Sequence, residues 1–265
     1  MGRPIGDKHS IEVATFIAAH EKPFSHSSLN ALETLKETLS SEYPIFSPVH
    51  SVELKLEGTP NQELPPQIKT GVSGFSLQTI NKETNKPTWA IRANENVAEI
   101  SCFDYDRWGS SSAKALKDLS VVLSTGADEQ NPLIFLALRV VDRFIGPSQE
   151  AYQLNQIFNL NSRFLTKQVK QAGALWHVHQ GWFESKSEFK GRFLNVLNLS
   201  TNETPAGIIT TIEHTIRYHS DPEALSSSNN SEAYLRSIFD ILHEYNKQTI
   251  RDLLNAKQLT AIGLK

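Results

Sequence analysis

Cysteine is nearly absent from this sequence. The single cysteine, Cys102, excludes a disulfide framework or a cysteine-based zinc site within one chain. Cys102 lies in the apolar-flanked stretch Glu99–Phe103, where burial is the usual state of a structural thiol. A reactive thiol needs an activating base nearby in space, which the sequence does not indicate. We therefore expect Cys102 to be a buried packing residue.

Long hydrophobic runs and a basic excess are also missing. The longest apolar run, Pro132–Leu138, is too short to cross a bilayer, and no signal-peptide core follows the polar start Met1–Pro4. Lys and Arg number 26 and Asp and Glu number 29, a formal charge of -3. Dedicated nucleic-acid-binding proteins usually carry a global basic excess. We expect a cytoplasmic protein without a membrane segment.

The common catalytic signatures are absent as well. The chain contains no GxGxxG, Walker-type Gly-Lys-Ser/Thr, GxSxG or HExxH pattern. Their absence lowers the expectation of an enzyme, which we leave open. The composition, 39% hydrophobic and 21% charged, is typical of a packed globular protein. A chain of 265 residues has room for one large domain or two small ones that share an interface.

Hydrophobic periodicity predicts an alternation of strands and helices. We expect strands at 10–20, 52–56, 75–77, 87–93, 97–103, 133–144, 174–183, 192–199 and 208–218. We expect helices at 28–41, 104–126, 149–171 and 231–254, the second of them capped by Asp104 or Asp106. The proline-containing stretch 58–71 and the serine-rich stretch 226–231 are predicted as loops.

The order of these elements is nearly the same in two halves, 1–126 and 127–265. Each half reads strand, helical segment, several strands, helix, which predicts an internal pseudo-repeat. We expect an α+β protein in which the halves form one compact unit, a curved, mainly antiparallel sheet backed by helices. This element order resembles the duplicated saddle of TATA-binding-protein-like folds. Such a resemblance implies topology and no activity.

Several short motifs carry a second resemblance. They are Ile11–Ala14 in the first strand, Tyr43-Pro44, Tyr105–Trp108, the arginine-bearing strand Leu138–Phe144, and Leu242-His243. With these motifs the chain resembles a sporadically distributed family of uncharacterised bacterial proteins of similar length. Leu197–Leu199 departs from the acidic strand motif common in that family. Because the family has no established activity, the resemblance implies architecture alone.

Two histidines form a candidate metal site. His177 and His179 are two residues apart, so on a strand both imidazoles project from one face. Zinc or another divalent metal would need further ligands, for which His214, His219 and Glu213 are candidates. The alternative, which we favour, is that both histidines face solvent or hydrogen-bond across strands. No cofactor is predicted.

Aromatic residues near these histidines are candidates for partner recognition. Trp176 and Trp182 crowd the same predicted hairpin as Phe183, and Trp176 should point away from the two histidines. Exposed aromatic side chains would serve as contacts for a protein or for stacked bases. Core packing is the alternative that we favour, because a sheet backed by helices needs bulky residues on one face.

Two arginines form a third candidate site. Arg139 and Arg143 are four residues apart on a predicted strand, hence on one face, with Asp142 on the other. Such a pair could bind a phosphate or a carboxylate. The structural alternative is that Arg143 extends from the strand end and pairs with an acidic neighbour.

The leading functional hypothesis is a non-enzymatic binding or regulatory protein whose sheet surface engages a protein partner, as a component of a bacterial toxin or defence cassette. The main alternative is a metal-dependent or phosphate-directed enzyme. It would use His177, His179, Arg139 and Arg143 around one cavity. A third hypothesis is nucleic-acid binding over a saddle, which requires a basic concave face.

Overall fold

One antiparallel sheet of ten strands organises the protein. The computed structural model describes residues 2–6, 8–55, 58–59, 62–63, 67–187, 189–220 and 231–264, with side chains everywhere in these ranges except 53–69 and 220. A two-stranded hairpin pairs separately from the main sheet. The α+β class predicted from the sequence is confirmed.

The elements follow in chain order. The first half contains β1 (Arg3–Pro4), β2 (Ile11–His20), α1 (His26–Glu33), α2 (Leu35–Thr38), β3 (Ile45–Lys55), β4 (Gly58–Thr59), β5 (Gln62–Glu63), β6 (Gln67–Asn81), β7 (Lys86–Asn94), β8 (Val97–Cys102) and α3 (Trp108–Thr125). The second half contains β9 (Leu133–Ile145), α4 (Lys167–Gln171), β10 (His177–Glu184), β11 (Gly191–Thr204), β12 (Gly207–Ser220), α5 (Glu232–Leu253) and α6 (Ala256–Ala261).

The strand order is symmetric about the central pair, β2 and β9. Outward from β2 come β8, β7, β6 and β3, and outward from β9 come β12, β11 and β10. The two-residue β1 pairs with the end of β9. Apart from β1, each half has its first strand at the centre and its last strand beside it. The neighbours pair antiparallel, as predicted. Because β2 and β9 belong to different halves, the two halves are joined within one sheet.

Helices cover one side of this sheet, which we call the helix-facing side. Both hydrophobic clusters draw their strand residues from this side. On β12 every second side chain is buried on this side, namely Ile208, Thr210, Ile212, His214, Ile216 and Tyr218. α3 and α5 pack here, and α5 contacts both β9 and β12. One cluster contains residues of both halves, so the halves share a core.

The other side of the strands β9–β12 is the open face. Residues paired directly across antiparallel strands share a face, and the pairing assigns to it Phe135, Arg139, Val141, Arg143, His177, His179, Phe183, Arg192, Leu194, Val196, Asn198, Thr211, Glu213, Thr215, Arg217 and His219. None of these side chains belongs to either hydrophobic cluster. In the part of the chain that the structure describes, therefore, helices back the sheet on one side.

Polar side chains set several helix starts. Ser25, Thr166, Ser231 and Asn255 each accept a hydrogen bond from a backbone N–H in the first turn of the helix that follows. α3 differs, because Arg107 occupies its cap position without a side-chain cap bond. The predicted capping of α3 by Asp104 or Asp106 is therefore wrong.

The predicted helix at 149–171 is wrong. The structure has two single-turn 3₁₀ helices, at Gln149–Ala151 and Leu154–Gln156, and only the short α4 at the end of this stretch. Side chains compete with the helix for backbone groups: the Asn159 amide oxygen accepts from the Asn161 N–H, and the Ser162 hydroxyl accepts from the Phe164 N–H. The backbone N–H of Asn159 also donates to the Leu253 carbonyl. The apolar side chains of this segment thus reach the core without a helix.

Two predicted loops fall partly outside the described residues. Pro60, Pro65 and Pro66 of the stretch 58–71 lie outside them, as does the part of the serine-rich stretch at 226–230. β6 begins at Gln67, so the carboxyl end of the first predicted loop is extended strand. Among the described residues, no helix is long and apolar enough to span a membrane.

Two interior groups show how burial controls protonation. Cys102 is buried as predicted, and burial raises the pKa of its thiol to about 11. His214 is buried between two amides: its Nδ1 lies 3.1 Å from Asn246 Oδ1 and its Nε2 lies 3.2 Å from Asn195 Oδ1. Burial lowers the pKa of His214 to about 4, against the opposing effect of the hydrogen bond to Asn246. His214, on β12, therefore contacts both α5 and β11, and as a neutral imidazole it donates a hydrogen bond from one ring nitrogen only.

The substitution His214→Gln should make the free energy of unfolding less sensitive to acid. On acidification the unfolded chain protonates His214 near its ordinary pKa of 6.5, whereas the folded chain resists protonation down to about pH 4. Stability present above pH 6.5 is therefore lost as the pH falls towards 4, by about 3 kcal/mol for this residue. Urea denaturation at about pH 7, 5.5 and 4 measures the difference. Parallel pH profiles of the wild type and His214→Gln would contradict this account, and the exposed His177→Gln is the control.

Candidate functional site

The open face concentrates arginine and aromatic side chains. Arg217 lies with its guanidinium carbon 5.4 Å from the centre of the Phe135 ring, and Arg192 lies 5.7 Å from that of Phe183. Neither arginine has an ion pair in the part of the chain that the structure describes. Both positive charges, together with the larger effect of burial, lower the pKa of the neighbouring His219. This end of the open face is thus electropositive.

Arg139 and Arg143 share the open face, as predicted. Arg143 Nη1 donates to Glu12 Oε1 at 2.6 Å, so this arginine pairs with an acidic neighbour. Arg139 Nη1 lies 4.0 Å from Glu213 Oε1, at the limit of an ion pair. The Nε atoms of both side chains are buried without a hydrogen-bond partner among the described residues. The arginine stems are held in place, while the guanidinium groups remain partly exposed.

His177 and His179 are exposed on the same face, as their spacing predicts. His179 Nδ1 contacts Asn198 Oδ1 across the strand pair. Of the further ligands considered, His214 points to the helix-facing side and is buried, while Glu213 lies two strands away, about 10 Å across the sheet. No group of three metal-ligating side chains occurs in the described chain. Among the described residues, the pair therefore has no third ligand for a metal.

The four polar residues of the enzyme hypothesis do not line one pocket. His177 and Arg143 occupy the same row of the sheet, separated by β11 and β12. Three interstrand spacings place them about 14 Å apart. Arg139 is on the central strand β9 and His179 is on the outer strand β10, so β11 and β12 separate this pair as well. Their convergence on a single phosphate or metal therefore has no geometric support.

Trp176 and Trp182 lie on the helix-facing side rather than on the open face. Trp176 is 9% exposed and packs edge-on against Phe158, with ring centres 5.7 Å apart. Trp182 packs against Phe164 at 4.9 Å, and its Nε1 donates to Glu184. Trp176 is thus buried, and the partly buried Trp182 packs against the same cluster, so neither ring lies on the open face. Phe183 is the exposed aromatic of this hairpin, at 62%.

Sequence reasoning missed Arg192, Arg217 and Phe135 as members of the face. The sequence could have predicted the position of Arg217, because side chains alternate along a strand and the burial of Ile216 and Tyr218 turns Arg217 to the opposite side. For Arg192 and Phe135 the signal depends on cross-strand register, because Arg192 pairs with His219 and His219 pairs with Phe135. That register became visible only in the folded sheet.

Comparison with known proteins adds no functional information. No protein-family model matches the chain, and no curated protein matches it significantly. Among solved structures the chain is similar to one described as the di-domain ARO/CYC StfQ from the steffimycin biosynthetic pathway. This likeness covers 89% of this chain and 96% of that chain at 9% identity, with a TM-score of 0.19. At this level it carries no argument.

Substitution of the two tryptophans should separate interior from open-face aromatics. Trp176→Ala and Trp182→Ala should each lower the free energy of unfolding by about 3 kcal/mol, because each leaves a cavity beside a packed ring. Phe183→Ala should change it by about 0.5 kcal/mol or less. Urea denaturation at neutral pH measures all three. A Phe183→Ala variant as unstable as the tryptophan variants would contradict the assignment of faces.

Proposed function

We propose that this protein is a non-enzymatic binding protein that docks a protein partner on its open face. The observation that carries the proposal is that α3 and α5 both back the helix-facing side, which leaves a broad sheet surface free for contact. An uncovered face with arginine and aromatic side chains is the composition that protein interfaces favour. A catalytic constellation on this face has no comparable support.

The residue composition favours a protein over a nucleic acid. The strands β9, β10, β11 and β12 contain no lysine, while Arg139, Arg143, Arg192 and Arg217 all lie on the open face. Lysine is depleted in protein interfaces and arginine is enriched. Phosphate-backbone binding, by contrast, draws on both cations and usually on a global basic excess, and this chain carries a formal charge of -3.

The face also indicates the chemistry of the partner. Arg192 and Arg217 lie beside aromatic rings and have no acidic partner among the described residues. Each guanidinium is therefore free to bind a carboxylate group of a partner protein. Leu194 and Val196 follow Arg192 on the open face of β11, Leu194 pairs with Arg217, and both apolar residues are partly exposed. We therefore expect the partner to present acidic groups around an apolar centre.

We further propose that the two halves are a pseudo-repeat with a saddle-like topology. The symmetric strand order about β2 and β9 supports this proposal, as does the helix that follows the last strand of each half. The halves would then differ in function, because the arginine and aromatic pairs belong to the second half.

A place in a bacterial toxin or defence cassette is part of the proposed function and rests on the family resemblance.

A photo-crosslinking amino acid at Phe183 should capture the partner in cells, whereas the same group at the exposed Phe103, outside the open face, should not. The captured protein is identified by mass spectrometry and then purified. Its affinity for Arg192→Glu/Arg217→Glu should be at least about tenfold weaker than for the wild type, because two charge-assisted contacts become repulsive.

The matched control is Arg163→Glu/Arg236→Glu, which makes the same change of net charge away from the open face and should bind within about twofold of the wild type. Equal affinity of both double variants would contradict the proposal, as would capture at Phe103 alone. Capture of nucleic acid at Phe183, with affinity that falls steeply with salt, would overturn the choice of a protein partner.

A further inference from the structure

A cavity of about 240 Å³ opens on the helix-facing side, remote from the open face. Its walls come from the segment that precedes β2, the loop between β8 and α3, the middle of α5, and residues 262–264 after α6. One water molecule occupies about 30 Å³ in the liquid, so the cavity has room for roughly eight water molecules. A mid-sized amino acid has a similar size.

The floor of the cavity is a buried carboxylate. Asp142 is 3% exposed, and Ser10 Oγ donates to its Oδ1 at 2.6 Å. No described residue donates to the other carboxylate oxygen. Burial raises the pKa of Asp142 to about 6, so the group is ionised at neutral pH, and no described residue supplies a counter-charge. His9 lines the same cavity, and its Nδ1 is buried without a partner in the described chain.

Aromatic and aliphatic side chains form the walls. Trp108 stacks on His243 with ring centres 3.9 Å apart and planes within 4°. Tyr105 lies beside Asp142, whose negative charge adds to burial in raising the pKa of the Tyr105 phenol. Ile11, Ile250, Ile262 and Leu264 form the aliphatic part of the lining. The phenol is therefore neutral and adds no charge beside the carboxylate at the floor.

Positive charges lie at the outer part of the cavity. Lys8 is exposed and lines it, and Lys247 lines it while pairing with Glu244. Arg107, in the loop before α3, is exposed and lines it as well. Asp106 is also exposed and lines the cavity, so three cations and one acidic residue lie towards the opening, while Asp142 lies at the buried end.

We propose that this cavity binds a small zwitterion of amino-acid size, with its ammonium group on Asp142 and its carboxylate towards Lys8. An ammonium donates three hydrogen bonds, which the free oxygen of Asp142, the Ser10 hydroxyl and His9 Nδ1 would accept. An apolar side chain fits between Tyr105 and the aliphatic wall. A simple anion would meet the carboxylate at the floor, and a simple cation would meet the lysine at the opening.

The binding test uses the full-length protein and the twenty common amino acids, followed by matched analogues of the tightest binder in isothermal titration. If that binder is L-leucine, for example, the analogues are 4-methylpentanoate, which lacks the ammonium, and L-leucinamide, which lacks the carboxylate. We expect at least about tenfold weaker binding for the first, because it lacks the cationic group that would pair with Asp142. A smaller loss is expected for the amide, whose missing charge faces a solvent-exposed lysine.

Asp142→Asn should weaken binding of the amino acid at least about tenfold, and Lys8→Ala should weaken binding of the amino acid but not of the amide. The control is Asp104→Asn, an exposed acid in the same loop as Tyr105, which should bind like the wild type. Because Lys8 is exposed, its variant keeps the test valid even if the Asp142 variant misfolds. The proposal is overturned if no amino acid binds, if the ammonium-free analogue binds as well as the amino acid, if the amide does, or if Asp142→Asn retains full affinity.

A second readout concerns stability. The folded pKa of Asp142, about 6, lies above its ordinary value of 3.8, so the carboxyl adds stability below pH 3.8 that is lost as the pH rises through 6. Asp142→Asn should therefore have a Tm roughly 5 °C or more above that of the wild type near pH 8, with no gain near pH 4. A lower Tm of the variant near pH 8 would show that the carboxylate is already compensated, and would overturn the proposal. The other titratable groups that face this site are Lys8, His9, Tyr105, Asp106, Arg107, His243 and Lys247.

Discussion

The antiparallel pairing of β2 with β9 is the contact on which the arrangement of the whole sheet depends. Side chains alternate between faces along a strand, so a slip of one residue in this pairing would exchange the two faces of one half relative to the other. In the observed register Phe16 lies opposite Leu138, and both are fully buried on the helix-facing side. The same register places Thr15 opposite Arg139 on the other side. One pairing therefore aligns the core of both halves and the surface that they leave free.

The sequence predicts the parts of this fold that depend on local periodicity. Periodicity predicts the alternation of β12, the apolar run of β9 and the amphipathic helices α3 and α5, because each of these elements buries one face against a neighbour. It does not predict the conformation of the segment 149–171. Its apolar residues have nearly helical spacing, but Asn159 and Ser162 bind nearby backbone groups, and the segment packs against the end of α5. Long-range contacts, which periodicity does not encode, decide its conformation.

The candidate site follows the same division. The shared face of Arg139 and Arg143, and that of His177 and His179, follows from spacing alone. The partnership of Arg192 with Phe183 and of Arg217 with Phe135 depends on cross-strand register, so it required the sheet. Asp142 shows both kinds of information. Its position between the arginines on the strand predicts that it points to the opposite face, whereas its contacts with Ser10 and Tyr105 depend on the folded chain.

The two sides of the sheet thus present different physical chemistry. On the open face, charges are paired on the central strands or held against rings in contact with solvent, where they cost little stability and can meet a partner. On the helix-facing side, a single carboxylate is buried without a counter-charge, which costs stability and is typical of groups kept for binding. A protein partner and a small ligand would therefore engage opposite sides of the same sheet, with β9 contributing to both.

The central claim, that helices cover one side of a single sheet, can be measured by thiol reactivity. Adjacent residues on the central strands point to opposite sides, so single cysteines at Val141 and Glu99 should react quickly with a thiol reagent, and cysteines at Val140 and Ala98 slowly. The native Cys102, which is buried, provides the slow reference within every sample. Equal protection of both members of each pair would contradict the account, because it would place a covering layer on both sides of the sheet.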